Sequence, residues 1–204
     1  MRETILARLR NAPRRPLRSD FDLDPDARAR GPADHLRPAA VLVPIVLHPR
    51  RPTILLTRRN ESLPDHPGQV SFPGGSVEPG DRDTIETALR EAEEEVGLDR
   101  STVEIAGRLD PYATVTGYRI DPVVGLVRPP LGLVPDPREV AAVFEVPLDF
   151  VLDPANHRRV GREEQGMRRH FYAMPYEGHY IWGATAHMLV NLAEILGRNE
   201  ETTR

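Results

Sequence analysis

Residues 74–98 have the sequence GGSVEPGDRDTIETALREAEEEVGL, which begins with a glycine pair and continues through a turn into a run of helix-forming residues. The spacing predicts a helix over 83–96, because apolar residues recur there at intervals of three and four. Gly97 follows directly and is placed to end the helix. The apolar residues that define its buried face are Ile85, Ala88, Leu89, Ala92 and Val96.

Acidic residues crowd the end of this predicted helix. At about 100° per residue, Glu91, Glu94 and Glu95 share one face, whereas Glu93 points to the other side. Carboxylates gathered in this way repel one another, and a divalent cation relieves the repulsion. Oxygen ligands on a rigid element suit Mg²⁺ or Mn²⁺, which leave other coordination positions to water and phosphate. Taken alone, the acidic run is also compatible with a solvated helix face.

The residues around the helix resemble the signature of the Nudix hydrolases, in which a glycine and a carboxylate precede the run R-E-hydrophobic-x-E-E-x-G-hydrophobic. The matching residues are Gly75, Asp81, Arg90, Glu91, Ala92, Glu94, Glu95, Gly97 and Leu98. Asp81 departs from the pattern, since glutamate is usual there and eight residues rather than seven separate it from Arg90. The resemblance implies an α+β fold, a Nudix-type α/β/α sandwich with a mixed β-sheet and a loop-helix-loop catalytic motif. It also implies hydrolysis of a nucleoside diphosphate linked to another group, with Mg²⁺ or Mn²⁺ as the cofactor.

A second motif lies upstream, where residues 55–60 read LLTRRN and residues 68–75 read GQVSFPGG. It resembles the LLTxR(S/A)xxxRxxxGxxxFPGG motif of the coenzyme A pyrophosphatase branch of the Nudix hydrolases. Asn60 replaces the usual serine or alanine, and Pro64 replaces the second arginine. The resemblance implies that coenzyme A or a derivative is split into 3′-phosphoadenosine 5′-phosphate and 4′-phosphopantetheine.

Two alternatives stay open beside this substrate. Pro64 removes a cation that could hold an anionic substrate, so the same fold could act on ADP-ribose, a dinucleotide or a nucleoside triphosphate. A nucleotide-sensing module without catalysis is the alternative from another class of protein. The retained helix carboxylates argue against that module.

The Nudix resemblance implies metal-binding roles for the acidic face. Glu91 and Glu95 are the principal ligands, and Glu94 is a third ligand or a neighbour that holds water. The Gly75 carbonyl is a further ligand from the backbone. Arg90 is expected to orient the carboxylates by ion pairing rather than to touch the substrate.

A general base could come from the signature or from outside it. Glu139 and Glu145, at a strand predicted over 140–146, are the candidates from outside. Glu94 could serve instead. Surface glutamates are common, so the sequence leaves the choice among these three carboxylates open.

Several residues of the upstream motif are candidates for substrate binding. Arginine matches phosphate bidentately, which makes Arg58 and Arg59 phosphate candidates. They face opposite sides of a strand, so only one should reach the site, and we favour Arg58. Gly74, Gly75 and Phe72 complete the predicted substrate-binding set. Further aromatic residues that could stack on adenine, or pack in the core instead, are Tyr112 and Tyr118.

The rest of the chain alternates apolar segments with turns, which predicts a mixed sheet covered by helices. Strands are predicted at 39–47, 53–57, 69–72, 103–109, 118–127, 140–146, 168–174 and 179–182, and a last helix at 184–196. Residues 1–35 differ, because a short amphipathic stretch at 4–9 leads into a proline- and aspartate-rich segment. We therefore divide the chain into a partly ordered N-terminal arm, 1–35, and a Nudix hydrolase domain, 36–204.

The composition excludes several kinds of chemistry. The 204 residues contain no cysteine and no lysine, which rules out thiolate nucleophiles, Cys-ligated metals and Schiff-base chemistry. The formal net charge of −4 argues against a nucleic-acid binder. The sequence contains no run of about 18 apolar residues, which is the length that would indicate a membrane span. We expect a cytoplasmic protein with a small-molecule nucleotide substrate, coenzyme A-like, and no nucleic-acid or membrane partner. A homodimer is left open.

Overall fold

The computed structural model describes residues 1–13, 17–24, 35–164 and 167–197. Its helices are α1 Arg2–Arg10, α2 Thr84–Val96, α3 Leu148–Leu152 and α4 Gly183–Leu196, with 3₁₀ turns at Arg100–Thr102 and Pro154–Asn156. Its strands are β1 Arg18–Ser19, β2 Arg37–Val46, β3 Thr53–Arg59, β4 Val70–Ser71, β5 Gly74–Ser76, β6 Val103–Arg108, β7 Tyr112–Ala113, β8 Tyr118–Val127, β9 Val140–Pro147, β10 Arg158–Glu164, β11 Met167–Tyr176 and β12 His179–Trp182. Within these ranges, no helix is both long and apolar enough to cross a membrane.

A nine-stranded mixed sheet forms the centre of the domain. Its main path runs β1-β7-β8-β2-β3-β4, and β5, β6 and β9 join β2, β8 and β3. The central pair, β2 and β8, is parallel along its whole length, whereas β3 is antiparallel to both β2 and β9. The predicted mixed sheet is confirmed.

The two faces of the sheet carry separate cores. Ala40 and Leu42 of β2 belong to the core beneath α2. Val43 and Ile45 belong to a larger core on the other face, to which α1, α3 and α4 contribute. Alternate residues of a strand point to opposite faces, so one apolar strand supplies both cores. Helices therefore cover both faces of the sheet, as the α/β/α sandwich predicts.

A second, three-stranded antiparallel sheet packs against α4. Its strand order is β10-β11-β12, and β12 leads directly into α4 at Gly183. In the first turn of α4, the hydroxyl of Thr185 donates to the carbonyl of Val70 at 3.1 Å. This bond ties α4 to β4, the short strand that precedes the glycine pair.

The described part of the N-terminal segment packs on the domain. Ile5, Leu6 and Leu9 of α1 are buried in the larger core, and β1 pairs in parallel with β7. The rest of the predicted arm, residues 14–16 and 25–34, lies outside the described residues. The division of the chain at residue 35 stays a prediction.

The glycine pair forms a short strand, β5, in a stretch where the sequence predicts no strand. The close packing of β5 on β2 explains why this strand needs glycine. A Cβ atom on Gly74 would lie 2.4 Å from the carbonyl oxygen of Ala40, closer than any side chain allows. This strand carries no apolar side chain, so its sequence has no strand-like pattern.

Candidate active site

The helix α2 begins and ends where its sequence provides caps. The Asp83 carboxylate accepts hydrogen bonds from the backbone N–H groups of Ile85 and Glu86, at 2.8 and 3.0 Å. At the other end, Gly97 adopts a left-handed conformation with φ of 67°, and its N–H donates to Glu93. The predicted helix over 83–96 is confirmed, with Asp83 as its N-cap.

The glutamates of α2 separate onto the predicted faces. Glu93 pairs with Arg100 on the outer side, where Arg100 Nε lies 2.7 Å from Glu93 Oε2. Glu95 is only 4% exposed, and Glu91 is half-buried beside it. The side chain of Glu94 is 60% exposed at the rim. The site therefore has a buried pair, Glu91 and Glu95, with Glu94 outside.

The glycine strand β5 lies directly against this buried pair. A Cβ atom on Gly75 would come within 2.5 Å of Glu91 Oε1, so a larger residue would displace the carboxylate. The backbone of Gly74 lowers the pKa of the Glu95 carboxyl, against the larger effect of burial. Both glycines thus pair with β2 in the sheet and lie next to the two glutamates.

Burial and like charges make the two carboxylates hard to ionise together. Burial raises the pKa of Glu95, and together with the negative charges of Glu91 and Glu139 it brings the pKa to about 8 against the opposing positive charge of Arg59. Burial also raises the pKa of Glu91, against the opposing effect of Arg90. A nearby cation would favour the charged form of both groups.

Arg90 holds Glu91 in place and is itself held by Asp81. Its Nη1 donates to Glu91 Oε1 at 2.8 Å, while its Nε and Nη2 each lie 3.0 Å from the Asp81 carboxylate. Asp81 also accepts from the Thr87 hydroxyl at 2.8 Å and from the Glu78 N–H at 2.9 Å. The guanidinium of Arg90 keeps the pKa of Asp81 well below its usual range. The residue that departs from the signature therefore positions Arg90.

Of the two glutamates considered outside the signature, the structure brings only Glu139 to the acidic pair. The charge of Glu139 raises the pKa of both Glu91 and Glu95. Glu145 lies six residues further on, about 20 Å away at about 3.3 Å per strand residue. There Glu145 Oε2 is 2.6 Å from Nε2 of His48 and also accepts a bond from the Thr53 hydroxyl. The structure corrects the prediction of Glu145 as a base, because its carboxylate is engaged at the far end of β9.

The alternation of β3 decides which arginine faces the acidic pair. Ile54 and Leu56 point into the larger core, so Arg58 emerges on that face of the sheet. Arg59 points to the opposite face and pairs with Val140, a residue of the core beneath α2. The preference for Arg58 as the phosphate contact is therefore corrected in favour of Arg59.

The surroundings of Arg59 suit a side chain that binds an anionic ligand. The charge of Arg59 lowers the pKa of Glu95, and its buried Nε, like those of Arg8 and Arg58, has no hydrogen-bond partner among the described residues. The motif contained this information, because with Asn60 at the position of the serine or alanine, the motif arginine falls on Arg59. The prediction of Arg58 misplaced the motif by one residue, because Arg58 stands at the variable position before the motif arginine.

Two of the three aromatic residues predicted as possible substrate contacts are buried in the larger core, where a substrate cannot reach them. Phe72 is 2% exposed and Tyr112 is 1% exposed, and both belong to the larger core. The structure corrects the substrate-binding role of Phe72, because its ring packs inside the sandwich. Tyr118 lies outside this core, with the Arg37 guanidinium 4.0 Å above its ring.

The donor set of the acidic site fits a hard divalent cation. Along the described ranges, no three His, Asp or Glu side chains are already grouped around a point where an ion could sit. Mg²⁺, however, needs only one or two carboxylates and keeps several waters. Glu91 and Glu95 supply two such oxygen ligands in a buried, mutually repelling pair, which is the arrangement that a cation would stabilise.

The sandwich and its acidic helix define a class of protein, an α+β domain that presents buried carboxylates from one helix beside a glycine strand. The family described as the NUDIX domain matches residues 36–169. The chain belongs to the Nudix hydrolase family. It is therefore a hydrolase of nucleoside diphosphate derivatives, in a family whose members generally use divalent metal ions.

Two similar proteins, both named NudL, agree with the family and leave the substrate open. NudL of Photorhabdus laumondii, named an uncharacterized Nudix hydrolase, is 44% identical over 162 residues, which cover 79% of this chain and 86% of that protein. NudL of Yersinia pestis, also named uncharacterized, is 43% identical over 158 residues, with coverages of 78% and 79%. A solved MutT/nudix family protein from Enterococcus faecalis has a TM-score of 0.49 at 15% identity, covering 83% of this chain and 65% of that one.

Proposed function

We propose that this Nudix hydrolase is a coenzyme A pyrophosphatase. It would cleave the pyrophosphate bond of coenzyme A or its derivatives to 3′-phosphoadenosine 5′-phosphate and 4′-phosphopantetheine. One observation carries the hydrolytic part: a buried Glu91–Glu95 pair, supported by Arg90 and Asp81, lies against the glycine strand β5. The upstream motif, from Leu55 to Gly75, supports the choice of substrate.

The chemistry needs neutralisation of negative charge. Water attacks a pyrophosphate slowly, because the phosphate oxygens repel the nucleophile. A bound Mg²⁺ or Mn²⁺ supplies this neutralisation and lowers the pKa of a coordinated water. Glu91 and Glu95 would hold the ion, with Glu94 at the rim and the Gly75 carbonyl as a further ligand.

Arg59 is the residue that we assign to the substrate's pyrophosphate. It faces the acidic pair from β3, and its buried Nε has no partner in the described structure. A planar guanidinium can donate two parallel hydrogen bonds to phosphate oxygens. Binding there would hold the substrate beside Glu95 and offset part of its negative charge.

Glu139 is the residue that we assign as the general base. It is exposed at the end of the loop before β9, yet its charge reaches both buried glutamates. A carboxylate in this position can accept a proton from the attacking water without belonging to the α2 pair. Glu94 is the alternative base, because it is the exposed carboxylate of the same helix face.

A second substrate class is favoured by the loop between β3 and β4. The motif arginine is replaced there by Pro64, and the acidic residues Glu61 and Asp65 lie on either side of it. The Glu61 carboxylate packs over Gly68, 3.1 Å from where a Cβ atom would stand. An acidic loop disfavours an extra phosphate, so a derivative without the 3′-phosphate, such as ADP-ribose, is the alternative.

Parallel turnover assays test the proposal. The purified protein is incubated with Mg²⁺ or Mn²⁺ and with coenzyme A, ADP-ribose, a dinucleotide or a nucleoside triphosphate, and products are identified by mass. We expect the two named products from coenzyme A at the highest kcat/KM. No product from coenzyme A would reject the substrate, and turnover of ADP-ribose alone would support the alternative. Tight nucleotide binding without hydrolysis under either metal would indicate a sensing module.

A further inference from the structure

The loop before β9 is docked on the end of the acidic helix. The backbone N–H groups of Val134 and Asp136 donate to the carbonyls of Val96 and Glu95, both at 2.9 Å. Gly97 makes this approach possible, since a Cβ atom there would lie 2.9 Å from the nitrogen of Val134. One end of the loop is therefore fixed to the same turn of helix that carries Glu95.

Residues 136–140 then form a tight turn that presents Glu139. The carbonyl of Asp136 accepts from the N–H groups of Glu139 and Val140, at 3.1 and 2.8 Å. The Asp136 carboxylate pairs with Arg138, whose Nη2 lies 2.6 Å from Oδ2. The bonds within the turn set its shape, but they do not fix where the turn stands relative to the sheet.

Asn60, at the end of β3, supplies that second attachment. Its backbone N–H donates to the carbonyl of Glu139 at 2.8 Å, and its side-chain Nδ2 donates to the carbonyl of Pro137 at 2.7 Å. Its Oδ1 is held in turn by the N–H and the hydroxyl of Ser62, both at 2.9 Å. The amide is thus oriented from one side and bound to the turn on the other. Serine or alanine at this position would lack the amide donor.

We propose that Asn60 is a positioning residue for catalysis, which holds the turn 136–140 so that Glu139 stands at the Glu91–Glu95 pair. Asn60 directly follows Arg59, so one strand end places both the phosphate contact and the support of the base. The inference rests on the proposed function, because it takes Glu139 as the base. It predicts that the contribution of Asn60 to turnover depends on the carboxylate of Glu139.

A double-mutant cycle tests this dependence on the full chain. Asn60→Ala should lower kcat about 10-fold, as small misplacements of reacting groups do, with little change in KM. In a Glu139→Gln background, Asn60→Ala should produce no further loss. Asn60→Asp keeps an acceptor for Ser62 but lacks the amide donor, so it should match Asn60→Ala. Asn156→Ala is the matched control, since Asn156 Nδ2 also donates to a backbone carbonyl, that of Phe150, at 2.9 Å, but beside α3.

Amide hydrogen exchange gives a readout that does not require turnover. Exchange across residues 134–140 should be faster in Asn60→Ala than in the wild type and unchanged in Asn156→Ala. Unchanged exchange, unchanged kcat, or an equal loss in both Glu139 backgrounds would overturn the proposal. Absence of wild-type turnover on every substrate would instead reject the proposed function, and the exchange data would still decide whether Asn60 holds the turn.

Discussion

The acidic site on α2 and a polar network beneath α4 bury charged groups in opposite ways. The network comprises Arg18, Asp20, Asp110, Tyr112, His187 and Asn191, and it joins the N-terminal segment to α4. In the acidic site, a further carboxylate, Glu139, adds its negative charge to that of the buried pair. In the network, opposite charges and matched hydrogen bonds meet. The network shows how a fold compensates buried charge where stability matters, and the acidic site shows buried charge left uncompensated where function matters.

One half of the network surrounds Asp110. Arg18 Nε lies 2.9 Å from the Asp110 carboxylate, and Asn191 donates to the same carboxylate at 3.1 Å while accepting from the Asp110 N–H at 2.9 Å. Arg18 also pairs with Glu194 at 2.5 Å. The Asp110 carboxylate therefore faces a positive charge and an amide donor.

The other half is a chain of hydrogen bonds through Tyr112. Its hydroxyl donates to Asp20 at 2.7 Å and lies 3.3 Å from Nδ1 of His187. Because the tyrosine proton is given to Asp20, Nδ1 of His187 must donate in turn. Burial, with a smaller contribution from the charge of Arg18, lowers the pKa of His187 to about 4. The histidine is therefore neutral at pH 7.

The comparison distinguishes buried charges that are compensated within the fold from buried charges that a bound ligand would compensate. Each charged group of the network that we describe has a partner within the chain. Glu91 and Glu95 repel each other, Arg90 and Arg59 oppose this repulsion, and we propose that a cation from solution completes the compensation. Perturbed carboxylates of this kind collect at functional sites, because stability alone does not favour them. Four substitutions or conditions would break or sharpen the comparison.

The largest effect is expected at Glu95. We expect Glu95→Gln to lower kcat by about 10³-fold or more, because it removes a charged ligand from the buried pair. The fold should be retained, since the neutral amide ends the repulsion with Glu91. Glu93→Gln, on the outer face of the same helix, should change turnover little. Steady-state kinetics of the two variants make the test, and equal losses would contradict the assignment of helix faces.

The next largest effect is expected in the network. We expect Arg18→Ala to lower the free energy of unfolding by about 3 kcal/mol, because it leaves Asp110 buried without its charged partner. Turnover of the folded variant should stay near that of the wild type. Urea unfolding measures the change, with Arg51→Ala as the control. Arg51 pairs with Asp149 in an exposed position, with side chains 57% and 66% exposed, so its loss should matter little.

A smaller effect is expected from the support of Arg90. We expect Asp81→Asn to lower kcat about 10- to 100-fold, because outer partners that orient ligands typically contribute this much. The amide cannot accept both guanidinium bonds, so Arg90 would hold Glu91 less firmly. Glu86→Gln, which breaks an exposed pair with Arg82 on the same helix, is the control. A loss in the control as large as in Asp81→Asn would point to general damage of the helix.

The smallest effect is expected from pH acting on the network. The pKa of His187 is lowered in the fold, so between pH 6.5 and about 4 the unfolded chain takes up a proton that the folded chain does not. This contribution to stability is present above pH 6.5 and is lost as the pH falls toward 4, with a fall of about 2 kcal/mol by pH 5. Urea midpoints across this range measure it. In His187→Gln this part of the pH dependence should disappear, and an unchanged slope would contradict it.

Local patterns predicted the parts of the molecule that depend on nearby residues. The period of the apolar residues and the stop at Gly97 placed α2 correctly, and the helical angle separated Glu93 from Glu91 and Glu95. Strands with apolar runs, such as β2 and β8, were also predicted. The short strand β5 was not, because its glycines carry no pattern that a strand would show.

The errors concern positions whose role depends on distant partners. Phe72 follows a strand beside the glycine pair, but its ring faces the larger core. Glu145 shares β9 with the turn of Glu139, yet the length of the strand carries it away from the site. Strand alternation alone could not choose between Arg58 and Arg59, although the register of the upstream motif already placed its arginine at Arg59. Alternation predicts that neighbouring side chains lie on opposite faces of a strand, but it does not say which face each of them occupies.

The chain alone determined that a helix would gather three carboxylates on one side, that a glycine pair and an arginine would accompany them, and that no cysteine or lysine takes part. The tertiary structure alone decided that Glu91 and Glu95 are buried, that Asp81 holds Arg90, and that Glu139 and Arg59 converge on them from other strands. The physical reason is the range of the interactions. Helical angles and caps are set within a few residues, whereas burial, charge coupling and register arise only when segments far apart in the chain are packed together.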